Sequence, residues 1–315
     1  MLISSLPPVH QEELLRSIIQ HPAIEAVRYN TGMSSPYDPY DVIGRILELT
    51  KPQGKPLYVD LKGKQLRVAQ WATPPYGPIV LNHKISVELP AKVYFRGDDC
   101  CELKEVVNGN EIYVDPTPKY PVGKGQSVNI IGKNLKIEGG LLDLDHRYIK
   151  AAVDQGVQNF MLSFVEGAAD VQELEEAIVR HSRGTIMPDM CQIVFKIESV
   201  DGVEFVRSLK ERHFSGKSPY RLMAARDDLM IEIGIHAMMD ALRLIVQKDS
   251  QAICASRLLM GLEQGKVSMA DLSDIEYMRS LGFRHFMLSD EISREHASEA
   301  AAFWEKYVES RPFVA

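Results

Sequence analysis

An alternation constrains this chain more than any other feature. A short apolar run is followed by a stretch of helical periodicity, and the pair recurs along most of the sequence. Leu2–Leu6 opens the series. His10–Gln20 follows, with Leu14, Leu15, Ile18 and Ile19 on one helical face. Ile24–Tyr29 reads as a strand, Asp41–Leu49 as a helix punctuated by Pro52 and Gly54, and Leu57–Leu61 as a third strand. The order resumes with helix Leu144–Gln155 and strand Asn159–Ser163, then helix Asp170–His181 and strand Gln192–Lys196. Helix Gly202–Lys210, strand Arg221–Ala225, helix Leu229–Val246 and strand Gln251–Ser256 come next. Helix Ala270–Leu281, strand His285–Leu288 and helix Ser293–Glu309 close it. Repeated strand–helix units imply a parallel sheet. Eight such units fit a closed (β/α)8 TIM barrel, with an open doubly wound sheet as the rival.

The alternation breaks from about Lys62 to about Gly139, where no long helical pattern occurs. Val80–Leu81, Ile85–Leu89, Val93–Phe95, Glu111–Val114 and Ser127–Ile131 read as short strands, separated by turns such as Asp98-Asp99 and Asn108-Gly109. The expected organisation is therefore a barrel begun by residues 1–69, a mostly β domain inserted after the third strand at 70–139, and the rest of the barrel at 140–315.

Composition narrows the function. A net charge of −7 and a pI near 5.8 argue against sequence-independent nucleic-acid binding, while leaving room for a local basic pocket for a small anion. None of the cysteines Cys100, Cys101, Cys191 and Cys254 forms a C-x-x-C pair, so no zinc framework is visible and reduced thiols in a cytoplasm are expected. The N-terminus lacks a basic-then-apolar leader, and no uncharged run is long enough to span a membrane. Helix Leu229–Val246 and the apolar C-terminal stretches FWEKY and PFVA suit either subunit contacts in a homo-oligomer or core packing.

Barrel sites form at the carboxyl ends of the strands. Polar and charged side chains gather there from most of them. Strand two ends with Arg28 and Asn30, and strand three leads into Asp60, Lys62 and Arg67. Strand four ends in Ser163, strand five gives Lys196 and Glu198, and strand six leads into Arg226, Asp227 and Asp228. Strand seven ends in Ser256-Arg257 and strand eight in Ser289, Asp290 and Glu291. Lys196 and Glu198 are two residues apart and share a strand face, so ammonium and carboxylate point into the same mouth. Asp228 arrives from the next strand. Two carboxylates on neighbouring strands suit Mg²⁺ or Mn²⁺, with places left for substrate and water. Lys196 beside them suits stabilisation of an enolate or a phosphoryl group. The bland alternatives are a plain Lys196–Glu198 ion pair, a helix cap at Asp227-Asp228, and serines that merely cap helices. Arg226, Asp227, Arg257, Ser163, Lys62 and Arg67 are the substrate-binding candidates.

Several segments resemble the pyruvate kinase family. The family's K-I-E-N reads FKIES here, its M-V-A-R-G-D-L-G-V-E reads LMAARDDLMIE, and its A-T-Q-M-L reads ASRLL. S-D-V-A-N-A and M-L-S-G-E are matched by SDIEYM and MLSDE, and S-F-V by Ser163-Phe164-Val165. R-x-N-x-S-H is matched in part by RYNTGM, and D-T-K-G-P-E-I-R by DLKGKQLR. The order is kept from Arg28 to Glu291, and the family's small β domain is inserted at the same place. The resemblance implies that Lys196 stabilises charge at the reacting centre and that Glu198 and Asp228 ligate Mg²⁺ or Mn²⁺. It implies further that Ser256, in place of a threonine, relays a proton at the enol methylene, and that Arg28 reaches a phosphoryl group or another anion.

The departures are as informative. SSLPPV stands where the family has T-I-G-P-A-S near the nucleotide. Gly32-Met33 and Leu61 remove K⁺ ligands, leaving Asn30 and Asp60 as the remaining monovalent-cation candidates. Asp227 and Met230 replace glycines that embrace the substrate carboxylate, and Arg257 replaces a glutamine. VDPTPKYP lacks the family's D-D-G turn, and nothing matches the family's C-terminal regulatory domain. The enolate apparatus is thus kept while the ADP and K⁺ apparatus is altered. The expectation is a divalent-metal enzyme forming or using a pyruvate-type enolate, with aldolase- or lyase-like chemistry on a 2-oxo acid. The alternatives are a divergent pyruvate kinase using phosphoenolpyruvate and ADP, and a non-catalytic metabolite sensor.

Overall fold

The computed structural model describes residues 1–74, 76–96, 99–210, 214 and 218–310. Two compact units emerge, one of Met1–Leu61 with Asp143–Ala315 and one of Lys62–Leu142. The first is a closed (β/α)8 barrel. Its staves are β1 (Leu2–Ser5), β2 (Ala26–Asn30), β3 (Leu57–Leu61), β9 (Asn159–Leu162), β10 (Gln192–Ile197), β11 (Tyr220–Ala225), β12 (Ile253–Ala255) and β13 (His285–Met287). All pair in parallel, and β1 closes on β13 through Leu2↔Phe286 and Ile3↔Met287. Strand β3 pairs directly with β9 at Asp60↔Met161, so the intervening smaller unit leaves the barrel's register unbroken. The strands are buried along most of their length because helices cover the outside and side chains fill the inside. Inside, Ile3, Ala26, Tyr58, Met161, Val194, Met223, Ile253, Ala255 and Met287 form a continuous apolar cluster. A truncation such as Met161→Ala would leave a void there costing about 2–5 kcal/mol.

The outer helices are α1 (Glu12–Gln20), α2 (Pro39–Thr50), α3 (Asp143–Asp154), α4 (Ala168–His181), α5 (Val200–Ser208), α6 (Arg226–Lys248), α7 (Met269–Leu281), α8 (Asp290–Glu295) and α9 (Ala297–Glu309). Their starts follow from local chemistry. Asp38 caps α2 by accepting from the backbone amides of Tyr40 and Asp41, with Pro39 in the first turn. Ser268 and Asp271 form a capping box on α7. Gly202 lets the first turn of α5 approach the Val165 carbonyl, where a Cβ would lie 2.9 Å from the oxygen.

Three expectations are corrected. The helix expected over 229–246 begins at Arg226 and breaks at Gly234, whose φ of 74° and ψ of 165° only glycine adopts readily. Periodicity could not reveal the break, because apolar residues continue on both sides. The single helix expected over 293–309 is two helices, α8 and α9, parted at His296. The strands expected at 85–89 and 93–95 are one strand, β5 (Ile85–Arg96), whose pairing slips between Glu88 and Ala91 beside Pro90. A proline donates no ladder hydrogen bond and settles at such a bulge.

The smaller unit is a five-stranded antiparallel sheet in the order β4-β7-β6-β5-β8. With β5 it comprises β4 (Ile79–Val80), β6 (Asp99–Val107), β7 (Glu111–Asp115) and β8 (Asn129–Ile137). Strand β6 is absent from the sequence reading although Glu102 and Lys104 alternate with Cys101 and Leu103, because Glu105 interrupts the period where the pairing with β7 slips between Leu103 and Glu105. Cys101 and Leu103 nevertheless face the core of this unit with Val93, Phe95, Ile112 and Ile130. The turn expected at Asp98-Asp99 lies partly outside the described residues, since Asp98 is among those not described, as is all of PFVA. Among the described residues no helix is long and apolar enough to cross a membrane.

Candidate active site

The carboxyl ends of β2, β3, β9 and β10 carry one buried charge network. Lys196 lies near the end of β10 and is almost fully buried. Its ammonium donates to Ser163 Oγ at 2.8 Å and sits 3.1 Å from Glu198 Oε1 and 3.5 Å from Asp60 Oδ1. Burial opposes its charge, but Asp60 and Glu198 outweigh that cost and hold the ammonium above its ordinary range. Lys196 is thus firmly cationic.

Asp60 is the hub. It has no solvent exposure. Besides Lys196 it accepts from Arg28 Nε at 2.8 Å and from Arg28 Nη2, and Ser163 Oγ donates to it at 3.4 Å. Arg28 also donates to Ser5 Oγ at 2.9 Å and pairs with Asp290. Burial works against the guanidinium charge, but Asp290 and Asp60 together raise its pKa. Asn30 donates to Asp290 Oδ2 at 2.8 Å and accepts from the Gly32 amide at 3.0 Å. The two monovalent-cation candidates, Asn30 and Asp60, therefore spend these oxygens on protein donors.

Glu198 follows β10 directly. Its Oε2 accepts from the Phe164 amide at 2.7 Å. That amide is aimed by a left-handed Phe164, with φ of 51°, in the loop after β9. Burial pushes the Glu198 carboxyl above its usual range; Lys196 opposes this, and nearby Asp228 pushes it up again. A carboxylate so crowded suits a cation between it and Asp228. Glu198 and Asp228 are the pair that would hold Mg²⁺ or Mn²⁺, and their oxygen donors fit such an ion. Among the described residues no group of three or more His, Cys, Asp or Glu side chains gathers to bind a metal. Two carboxylates leave the remaining positions to substrate and water.

The rim at β11 and β12 differs. Arg226, the first residue of α6, is turned to structural work: its guanidinium grips Asp274 in bidentate fashion at 2.7 and 2.9 Å and donates to the Ser256 carbonyl at 2.6 Å. Asp227 and Arg257 pair at 2.7 Å, each about half exposed. Burial raises the Asp227 carboxyl, Arg257 opposes it, and Asp228 raises it further. Ser256, Arg257 and Leu259 all have left-handed backbones, with φ of 64°, 55° and 58°. Each such non-glycine residue costs on the order of 1–2 kcal/mol. Strain in the loop after β12 therefore accompanies the presentation of Ser256 and Arg257. Ser289 caps α8, accepting from the Ile292 amide at 3.2 Å. Lys62 and Arg67 belong to the smaller unit, where Arg67 donates to the Gly125 carbonyl at 2.6 Å and to Gln65.

Three residues enlarge the set reached from sequence. Ser5 completes the Arg28 cage with Asp290, which the strand-eight rim already offered, and the place of Ser5 at the end of β1 was the available signal. Glu232 lies one helical turn beyond Asp228. Its carboxyl is pushed up to about 8 by burial and then by Glu166, Asp228 and Asp201. Glu166 accepts from Ser199 Oγ at 2.8 Å. The four-residue spacing from Asp228 to Glu232 was the clue in the sequence.

A family model described as the pyruvate kinase barrel domain matches residues 2–297. Similar curated proteins include a pyruvate kinase of Thermoplasma acidophilum, 23% identical over 296 residues, which span 85% of this chain and 50% of that protein. A pyruvate kinase of Methanocaldococcus jannaschii is 24% identical over 285 residues, or 85% of this chain and 60% of that protein. One of Mycobacterium intracellulare is 21% identical over 316 residues, or 91% of this chain and 64% of that protein. The chain thus spans about half to two-thirds of the length of these relatives.

Proposed function

The chain belongs to the pyruvate kinase family, and from that premise we propose that it binds phosphoenolpyruvate or pyruvate and works through the enolate of pyruvate, transferring the phosphoryl group to a nucleoside diphosphate. The observation that carries this reading is the Lys196 ammonium beside Glu198 and Asp60, with Asp228 close enough to perturb Glu198. The names of the relatives favour phosphoryl transfer over carbon–carbon chemistry.

Each group has a part in this reading. Glu198 and Asp228 hold the divalent ion, which when bound supplies Lewis-acid stabilisation of oxygen charge. Lys196 places a fixed positive charge where negative charge develops on the enolate or the phosphoryl oxygens. Asp60 and Ser163 hold its ammonium in place, so little reorganisation accompanies the reaction. Arg28, fixed by Asp60, Asp290 and Ser5, offers a second cation. Ser256 supplies the hydroxyl for proton transfer at the enol methylene.

A second reading, enolate addition or cleavage on a 2-oxo acid, rests on one observation. Asp227 and Arg257 occupy the rim as a bulky ion pair in place of the glycine and glutamine of the family motif. Two assays decide. Transfer from phosphoenolpyruvate to ADP with Mg²⁺ or Mn²⁺, with and without K⁺, tests the first reading. Exchange of pyruvate methyl protons with deuterated solvent tests the enolate shared by both. Saturable phosphoryl transfer lost in Lys196→Met is the expected result. Exchange without phosphoryl transfer moves the conclusion to the second reading, and absence of both overturns the proposal.

A further inference from the structure

The rim pair carries an inference about which acid the site accepts. We propose that Arg257 is a specificity residue that binds a second acidic group of the substrate, and that Asp227 occupies it as an internal stand-in until that group arrives. The inference rests on the enolate site described above and concerns the substrate class of that site.

Three observations support it. The other two guanidiniums at the ends of the barrel strands are engaged on several sides. Arg28 is held by Asp60, Asp290 and Ser5, and Arg226 by both oxygens of Asp274 and the Ser256 carbonyl. Arg257 by contrast is exposed, and its ion pair is with a single, half-exposed carboxylate. Such a pair exchanges readily for an incoming carboxylate, because both charges remain in contact with water and little desolvation is lost.

The second observation is the backbone. Consecutive left-handed residues at Ser256 and Arg257 fix the direction in which Arg257 leaves the end of β12. It is next in sequence to the hydroxyl assigned to the enol methylene. An acidic group carried on that side of the substrate therefore falls to Arg257.

The third is the identity of the stand-in. Asp227 stands beside a second acidic residue, Asp228, in the first turn of α6, and its ion pair is with Arg257 at 2.7 Å. A substrate carboxylate that takes over Arg257 frees Asp227 to turn outward. The ligand class is a dicarboxylic 2-oxo acid, or its enol form, taken by the same enolate site that binds pyruvate. No bond is made or broken by Arg257, which acts only by binding.

The test is calorimetric titration of the whole chain with Mg²⁺ present, using acids matched in length: oxaloacetate against 2-oxobutyrate, and 2-oxoglutarate against 2-oxopentanoate. The expected result is at least tenfold tighter binding of the dicarboxylate in at least one pair. In Arg257→Gln that ratio collapses at least tenfold, and Arg257→Lys restores part of it. Asp227→Asn removes the stand-in and raises dicarboxylate affinity severalfold. A ratio near one in the unmodified protein, or an Arg257→Gln variant that weakens both acids equally, overturns the inference while leaving the enolate site intact. Failure of all four acids while pyruvate still binds overturns the inference alone, and failure of pyruvate as well overturns both together.

Discussion

Two ion pairs at the same end of the barrel obey the same Coulomb law and do different work. Lys196 and Glu198 sit at 3.1 Å with their side chains almost wholly buried. Arg257 and Asp227 are closer, at 2.7 Å, yet about half of each side chain faces water. Distance therefore does not rank them. Burial does, because water screens the outer pair and leaves the inner one to be compensated by protein groups alone. The inner network answers with many partners: Asp60, Ser163, Arg28 and the Phe164 amide. The outer pair manages with few. A fixed electrostatic centre thus adjoins an exchangeable rim.

The strongest way to break this contrast is Lys196→Met. It removes the central cation, and catalysis should fall at least ~100-fold, the scale expected for losing a charge-stabilising group. Proton exchange at the pyruvate methyl reads the loss, and circular dichroism shows whether the barrel persists. Next is Asp60→Asn, which leaves Arg28 and Lys196 without their shared counter-charge. Urea denaturation should show a loss of about 3–5 kcal/mol, as for half of a buried pair.

A pH titration sharpens the comparison at the opposite end of the barrel. Burial, the N-terminal charge and Arg221 push His285 down to about 4. Burial and then His146 lower His181. A histidine depressed in the folded state takes up protons more readily when unfolded. Stability is therefore full above the ordinary histidine range and falls as pH drops from ~6.5 towards 4, with a slope of up to about 1.4 kcal/mol per pH unit for each proton. Denaturation midpoints between pH 7 and pH 4.5 follow this, and His285→Gln should flatten the curve. The smallest effect belongs to the rim. Arg257→Gln should change stability by no more than about 0.5–1 kcal/mol, the worth of an exposed pair. A loss of several kcal/mol in thermal unfolding would erase the distinction between the two regions.

Much of the barrel was legible because a strand and a helix each leave a period in the sequence. Lys196 and Glu198 could be set on one face from their spacing alone. What periodicity cannot supply is closure. Arg28 and Asp290 are 262 positions apart and meet because β1 pairs with both β2 and β13. Asp60 carried a weak sequence signal as a cation ligand. Its place between Arg28 and Lys196 depends on β3 lying beside both β2 and β9, a neighbour relation that no local pattern encodes. Arg226 shows the converse. Its position at a strand end is that of a binding residue, yet Asp274, far along the chain, claims its guanidinium.

Gly234 separates two segments with different obligations. The turns before it carry Asp227, Asp228 and Glu232, and the longer stretch after it packs Met238, Leu242 and Ile245 against the barrel. A residue with a side chain resists that backbone, and nothing lies near enough to its missing Cβ to forbid substitution on grounds of space. A replacement there should re-aim the acidic turns while leaving the outer packing alone. One position in this helix lets evolution tune the mouth without rebuilding the wall.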